Sequence, residues 1–563
     1  MKSRSWSRVF LGVCAVSLLF ASSASAQSNE ERLKAIKARL DQMKALYDKL
    51  PSLHKQVLGG NRHLIHLASV WDVVASNASK NQPARPRPSG VLGSPAASSG
   101  VVAVSDPSTD LEFSSFGGFT QSETHSARCG NSVVVGFNDS GSFLETLPNP
   151  SIGLSFSGWG QSLDGGATFH DGGAVPPGSN IFNFLGGDPV VGCANSNTLY
   201  YSQIFSTGSL TALLSSMALS KSTDGGATWA DPVASVQKDG TLHLLDKDWL
   251  AVDPSDPDRL YVSYTDFDSS DLGGSGPCPK DFRTAIEFVT SDDGGSSWSK
   301  PIVLDFICGG ANAVQGSQIA VGSHGDVHFA WEAFVNFPTG PREIRARSFN
   351  PKTGKLGKTV IVDEVIGGGD GFFLQGLFRE FLGLSMAIDR SKTPSAGTIY
   401  ITWDDGRDLV IPDAASPTGT YAYDDILTAI SFDGGDTWFG GGRLNTDGQP
   451  RFGLGHDHFQ PGAAVDKTGK VAVCWYDRRD DPENFAISRF CGTSTNGGAT
   501  WTNTQVQVPP FAPVHGIDVL ISADYMGDYD GLTSDFTGAT AGFIGAFQFM
   551  GSTANPDVLA VKF

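Results

Sequence analysis

The chain has 563 residues, 40% of them hydrophobic and 18% charged, and its 59 acidic and 40 basic side chains give a net charge of -19. That sign argues against nucleic acid and anionic membranes as partners, because phosphate groups are bound by basic surfaces.

Lys2, Arg4 and Arg8 precede an apolar run from Val9 to Phe20 and then Ala24-Ser25-Ala26, the layout of a cleavable secretory signal. Residues 1–26 are therefore set aside, and the mature chain is expected to be secreted or periplasmic. Losing those three cations takes the charge from -19 to -22. The apolar run is too short to span a bilayer, and no later stretch is long and apolar enough. Cys14 follows Val13 rather than a small residue, which disfavours a lipid anchor.

Residues 27–80 read as a helical segment. Leu33, Ile36, Leu40, Met43, Tyr47 and Leu50 recur at steps of three and four with charged residues between them, until Pro51 interrupts the pattern. A second helix is expected from about Asn61 to Ala75. The seam is too short to require a coiled coil, so oligomerisation through these helices competes with packing on their own chain. Residues 81–110 are rich in Pro, Ser, Ala and Gly and read as a linker.

From residue 111 to 563 helical periodicity gives way to short alternating segments punctuated by Gly, Asp and Asn. One phrase recurs five times: Ser162-Leu-Asp-Gly-Gly-Ala-Thr-Phe169, Ser222-Thr-Asp-Gly-Gly-Ala-Thr-Trp229, Ser291-Asp-Asp-Gly-Gly-Ser-Ser-Trp298, Ser431-Phe-Asp-Gly-Gly-Asp-Thr-Trp438 and Ser494-Thr-Asn-Gly-Gly-Ala-Thr-Trp501. Two glycines after an acid or amide suit a hairpin turn with positive φ, and Ser and Asp can bond the turn's own backbone. The phrases start 60, 69, 140 and 63 residues apart. The long gap is two periods, with Ser348-Phe-Asn-Pro-Lys-Thr-Gly-Lys355 as a decayed copy. First-strand phrases such as Trp249-Leu-Ala-Val-Asp and Gly462-Ala-Ala-Val-Asp occur seven times. This predicts an all-β fold, a β-propeller of seven blades with six the alternative, in which a strand near Val101–Ser105 completes the last blade and closes the ring.

Cys129, Cys193, Cys278, Cys308, Cys474 and Cys491 remain after signal removal, an even count that favours disulfides in an exported chain. Fifteen pairings are open. Repeat register suggests Cys129 with Cys193 and Cys474 with Cys491 across one hairpin, which leaves Cys278 with Cys308.

The recurring Ser-x-Asp-x-Gly-x-Thr-Trp phrase resembles the Asp-box of the sialidase (neuraminidase) superfamily, over about residues 120 to 563. The resemblance implies that the boxes lie between the third and fourth strands of each blade, on the face away from the active site. It also implies an arginine trio for a substrate carboxylate, a tyrosine nucleophile backed by a glutamate, and an aspartate acid/base. Arginine suits the first task because its planar fork pairs bidentately with a carboxylate.

On that frame the functional face is built from residues just before each first strand and just after each second. Tyr529 is the best tyrosine candidate, beside Asp528 and Asp530. Trp403-Asp-Asp-Gly-Arg407 and Trp475-Tyr-Asp-Arg-Arg479 offer Asp404 and Asp477 as acid or base, with Arg407 and Arg478 holding an anionic group. The competing reading is a repeated Asp-Arg bridge between blades. Arg128 and Arg379 complete the candidate substrate-binding cations. His456 and His458 lie two apart, a spacing that suits substrate, proton transfer or a metal ion. The other polar positions at these places include His125, Asp188, His243, Asp246, Asp248, Asp266, Asp268, Glu332, Glu380, Asp405, Asp457 and Arg479. No cofactor is required, and structural calcium is the one metal considered.

Two functions follow as expectations. The first is a secreted enzyme acting on a glycan or glycoconjugate, a glycoside hydrolase of exo-sialidase type or another polysaccharide-active enzyme. The alternative is a non-catalytic propeller that binds glycan or protein at the same face.

Overall fold

The computed structural model describes residues 30–78, 85–86, 100–112, 117–209, 211–380, 383–416, 418–450, 454–513, 518–522, 527–534, 542–550 and 556–563. The candidate signal and most of the linker lie outside them.

Seven antiparallel sheets of four principal strands form a β-propeller. Their first strands are Gln121–Cys129, Phe184–Cys193, His243–Asp253, Ala313–Val321, Ser385–Ile388, His458–Val465 and Leu532–Ser534. Each first strand packs against the next and the seventh against the first, so together they wall a central channel. Val101–Ala103 completes blade 7 by pairing with Pro556–Lys562, Val101 opposite Val561. The expected seventh blade and ring closure are therefore present, and the end of the linker belongs to the propeller. Blades are covered on both sides, so whole strands are buried: Val133, Val134 and Val135 are all inaccessible, as are Trp331, Trp403 and Trp475.

The five repeated phrases form the turns between third and fourth strands. Ser222 Oγ accepts the Gly226 N–H at 2.8 Å and donates to Asp224, which accepts the Thr228 N–H and hydroxyl at 3.0 and 2.6 Å. Gly225 and Gly226 have φ of 76° and 90°, a region that glycine enters without a Cβ clash. The same bonds recur at Ser162, Ser291 and Ser431, and at Ser494 Asn496 takes the acid's place and its amide donates to the Thr500 hydroxyl. In the decayed copy Asn350 accepts the Thr353 N–H, turning the chain at the same point of blade 4. Three disulfides join Cys129–Cys193, Cys278–Cys308 and Cys474–Cys491, the pairing that register suggests. Among the described residues no helix is long and apolar enough to cross a membrane.

Helices α1 (residues 30–49), α2 (Ser52–Val57) and α3 (Asn61–Ala78) precede the ring. The seam of α1, Leu33, Ile36, Leu40, Met43 and Leu50, is buried against the propeller in one cluster with Phe143, Leu147, Phe184 and Leu213. Arg32 donates to the Leu147 and Ile152 carbonyls, and Arg39 to those of Phe182 and Thr207. A short helix not anticipated from sequence, α4 (Ser140–Thr146), follows the second strand of blade 1. Asp139 caps it by accepting the Gly141 N–H at 2.8 Å. The N-terminal helices thus lie on the face where second strands end, opposite the five repeated turns.

Candidate functional site

A second repeat, unlike the first, is a repeat of backbone only. In blades 1, 2, 3, 4 and 6 the first strand carries one extra residue where it enters the channel, between Ser122 and His125, Gly187 and Val190, Asp246 and Trp249, Gln315 and Gln318, and Phe459 and Gly462. The residue that opens each bulge is left-handed: Glu123 (φ 53°), Asp188 (56°), Lys247 (50°), Gly316 (71°) and Gln460 (52°). Four of the five are not glycine, and a side-chain-bearing residue held there stores backbone strain of a kind that concentrates at functional sites.

These bulges aim polar groups inward at the head of the channel. Asp188 is fully buried, and neither of its oxygens accepts a bond from an amide, hydroxyl or cation. Its charged neighbours are Glu123, Asp246 and Lys247. Burial, and then the Glu123 charge, push Asp188 well above the usual carboxylate range. Glu380 is likewise fully buried, with no donor to either of its oxygens among the described residues. Burial and the Asp404 charge push Glu380 well up, and burial lifts Asp404 to about 6. Burial also raises Asp528 to about 7, against the opposing charge of Arg379. Lys247 lays its ammonium 3.3 Å from the centre of the Tyr529 ring.

Each arginine near this head has its own carboxylate. Arg379 Nη1 meets both oxygens of Asp528 at 2.9 Å, Arg342 grips Glu332 at 2.8 and 3.2 Å, Arg478 pairs with Asp457 at 3.3 Å, and Arg489 pairs with Asp530 at 3.3 Å. The head is a net acidic, desolvated centre suited to moving protons, with its arginines paired and the buried Lys247 ammonium lying over the Trp249 and Tyr529 rings.

No family model and no curated protein matches this chain. Solved structures do. A Hadza microbial sialidase is 13% identical, with 74% of this chain and 75% of that one covered at a TM-score of 0.39. An α-L-arabinanase of Penicillium chrysogenum complexed with arabinobiose is 12% identical, with 82% and 97% covered at 0.42. An ulvan lyase bound to -[GlcA(1-4)Rha3S]- is 9% identical, with 79% and 93% covered at 0.44. The seven-bladed architecture itself stands on the strand pairing above.

The sequence-derived candidates fall into three places. Asp404, Asp528, Tyr529 and Arg379 meet the channel head. Tyr529 is buried, its hydroxyl donates to the Pro189 carbonyl at 3.0 Å, and burial holds it well above the usual phenol range, the opposite of an activated nucleophile. Asp477, Arg407, Arg478, His456 and His458 gather around blades 5 and 6. There the repeated unit is Trp403-x-Asp405-x-Arg407 and Trp475-x-Asp477-x-Arg479. Each aspartate accepts the indole N–H and the arginine side chain two residues on. Arg407 also reaches Asp363 of blade 4, a tie between blades. Arg478 donates to the Asn484 and Gln375 carbonyls. Arg128 sits at the other end of the channel beside the repeated turns, where it lines a 400 Å³ cavity and donates to the Gly130 carbonyl.

His458 is fully buried. Its Nδ1 lies 2.8 Å from the Asp424 carbonyl and its Nε2 3.0 Å from Asp447, so neither nitrogen has a lone pair to offer a metal. Burial opposes its charge, but Asp477 and Asp447 outweigh burial and raise it to about 9. The His456 backbone is held by Gln449. One metal-compatible cluster occurs among the described residues, His243, Asp266 and Asp268. It already carries cations, since Lys238 bridges Asp266 to Glu287 and Arg283 pairs with Asp268. Sequence reading missed Glu123, Lys247, Gln315, Arg342 and Gln460. Their signal was positional: Glu123, Lys247 and Gln460 occupy the repeat position of Asp188, which had been singled out.

Proposed function

We propose that this chain is an exported, glycan-active propeller whose channel head cleaves a glycosidic bond by acid/base catalysis between carboxyl groups. The observation that carries the reading is the pair of carboxyls Glu380 and Asp404, buried together at the end of a strained, bulge-lined channel, where burial and the Asp404 charge push Glu380 well above the usual carboxylate range. Such a pair keeps an acid and a base at the same pH. The protonated member gives its proton to the departing glycosidic oxygen. As the glycosidic C–O bond breaks, an ionised carboxyl of the head takes the proton of the attacking water, whose oxygen forms the new bond to the sugar carbon. The three disulfides and the N-terminal signal pattern support export.

The substrate the centre favours is a neutral glycan. An exo-sialidase reading needs arginines turned toward a substrate carboxylate, and Arg379, Arg342, Arg478 and Arg489 are each engaged by a protein carboxylate. Incubation with arabinans, galactans and other neutral polysaccharides, alongside sialosides and uronic-acid polymers, tests this. Product from the neutral set that falls about 10²–10⁴-fold in Glu380→Gln and Asp404→Asn is expected. Product unchanged in both variants overturns the assignment of the pair. A second reading, a glycan- or protein-binding propeller without turnover, is favoured by one observation: the centre is filled by the chain's own residues 57–61.

A further inference from the structure

The turn between α2 and α3 lies on the channel head and is bound there mainly through its backbone. Asp246 accepts the Gly59 N–H at 2.6 Å and the Asn61 N–H at 3.1 Å. Gln315 donates to the Val57 carbonyl at 2.9 Å. Arg379 donates to the Leu58 and Gln56 carbonyls at 2.9 and 3.0 Å. Asn61 adds side-chain bonds to the Leu245 carbonyl and Asp246, and the Val57 and Leu58 side chains are buried in the apolar cluster beside the ring. The two glycines are what allow the approach. A Cβ on Gly59 would sit 3.2, 3.3 and 3.8 Å from oxygens of Asp246, Asp528 and Asp188, carboxylates of three different blades, and a Cβ on Gly60 would overlap Asp188.

The fit is incomplete in a telling way. Asp246 and Arg379 are satisfied by the segment, whereas Asp188, buried directly beneath Gly60, gains no donor from it. Burying a carboxyl without a donor is costly, and a segment selected only to stabilise this face would have supplied one. The bulged backbone around Asp188 is strained as well. A site that is strained, partly unsatisfied and covered by a stretch of its own chain whose two glycines lie over carboxylates of three blades has the character of a binding site holding a stand-in ligand.

We propose that residues 56–61 are a tethered peptide ligand of the central site, which must leave before a glycan reaches the carboxyl pairs. The regulatory meaning rests on the glycan-active reading above; the seating and release of the segment do not.

Hydrogen exchange on the intact chain tests release directly. The Gly59 and Asn61 amides are expected to exchange at least about 100-fold faster than inner-strand amides such as Val134 and Phe329, through a local opening. Exchange of all four at one rate means the segment is an integral part of the core and overturns the proposal. The second arm is Gly60→Leu, followed by coupling of carboxyls to glycine ethyl ester with a water-soluble carbodiimide and mass spectrometry. Labelling of Asp188, Asp246 and Asp528 is expected to rise about tenfold or more over the wild type, and a synthetic peptide of residues 51–63 added in excess is expected to reverse it. Unchanged labelling in a folded variant overturns the proposal. Release without turnover on any glycan leaves this inference standing and removes the enzymatic reading. Full turnover by a chain whose Gly59 and Asn61 amides stay protected does the reverse.

Discussion

The two ends of the channel repeat themselves in opposite ways. At one end, five turns repeat both backbone and chemistry. Every Ser and Asp or Asn finds the same partners, and bonds from the Thr or Ser hydroxyl hold Asp164, Asp293 and Asp433 below the usual carboxylate range. At the other end, five bulges repeat the backbone while the side chains differ, as Glu123, Asp188, Lys247, Gly316 and Gln460, and neighbouring carboxyls are pushed up. Chemistry that recurs identically is holding hairpins together. A recurring frame with varied chemistry leaves room for a site in which each position does a different job.

The comparison is broken most sharply by removing a cation from the strained end. Arg379→Met leaves Asp528 buried without its partner and frees the Leu58 and Gln56 carbonyls, and is expected to cost about 3–5 kcal/mol in denaturant unfolding. Next is pH. Asp404, Asp248 and Asp528, raised by burial to about 6, 7 and 7, favour the folded chain when protonated. Their stabilisation is full below the unfolded carboxyl value and lost as pH rises through those values. His458, raised to about 9, contributes fully below about 6.5 and loses that contribution as pH rises through 9. The melting temperature is therefore expected to fall steadily from pH 5 to 9. His458→Gln should flatten the part above pH 7 by up to about 3 kcal/mol, and an unchanged slope would remove His458 as the cause.

Smaller effects discriminate more finely. Asp188→Asn replaces a carboxyl that must stay protonated with a neutral amide, and is expected to raise stability at pH 8 by about 1–2 kcal/mol while changing little at pH 4. At the repeated turns, Ser222→Ala removes the acceptor of the Gly226 N–H and is expected to cost about 1 kcal/mol at every pH between 5 and 8. If the turn variant proved strongly pH-dependent and Asp188→Asn did not, the division between a structural and a chemical end would collapse.

The division also explains what could be read from sequence. The turns announce themselves because Ser-x-Asp-Gly-Gly is dictated by local geometry, and their spacing set the period, while the first-strand phrases carried the count of seven, the ring closure near Val101 and the register behind Cys129–Cys193. The face of the site followed from that frame, which brought Asp404, Asp528 and Arg379 into view. Glu123 and Gln315 escaped because a bulge is set by pairing with the next strand, and only its left-handed turn sends their side chains inward. Arg407 pairs with Asp405 two residues before it, the Asp-Arg bridge that the repeated phrase offered as the competing reading, whereas Asp457, the partner of Arg478, sits where no spacing rule points. The apolar seam of α1 was legible as a seam, while its partner, the loops around Phe143 and Phe184, comes from distant sequence.

The clasp of blade 7 has a temporal consequence. Val101 pairs with Val561, so the ring cannot shut until nearly the whole chain between them has been made and folded, and every earlier state has two open edges at the seam. Loop closure over such a span is slow and entropically expensive. Once shut, the same pairing leaves an unfolding chain few places to begin other than those three residues. A newly made molecule is thus most vulnerable to proteases and to pairing with a neighbour just before completion, and most durable just after it.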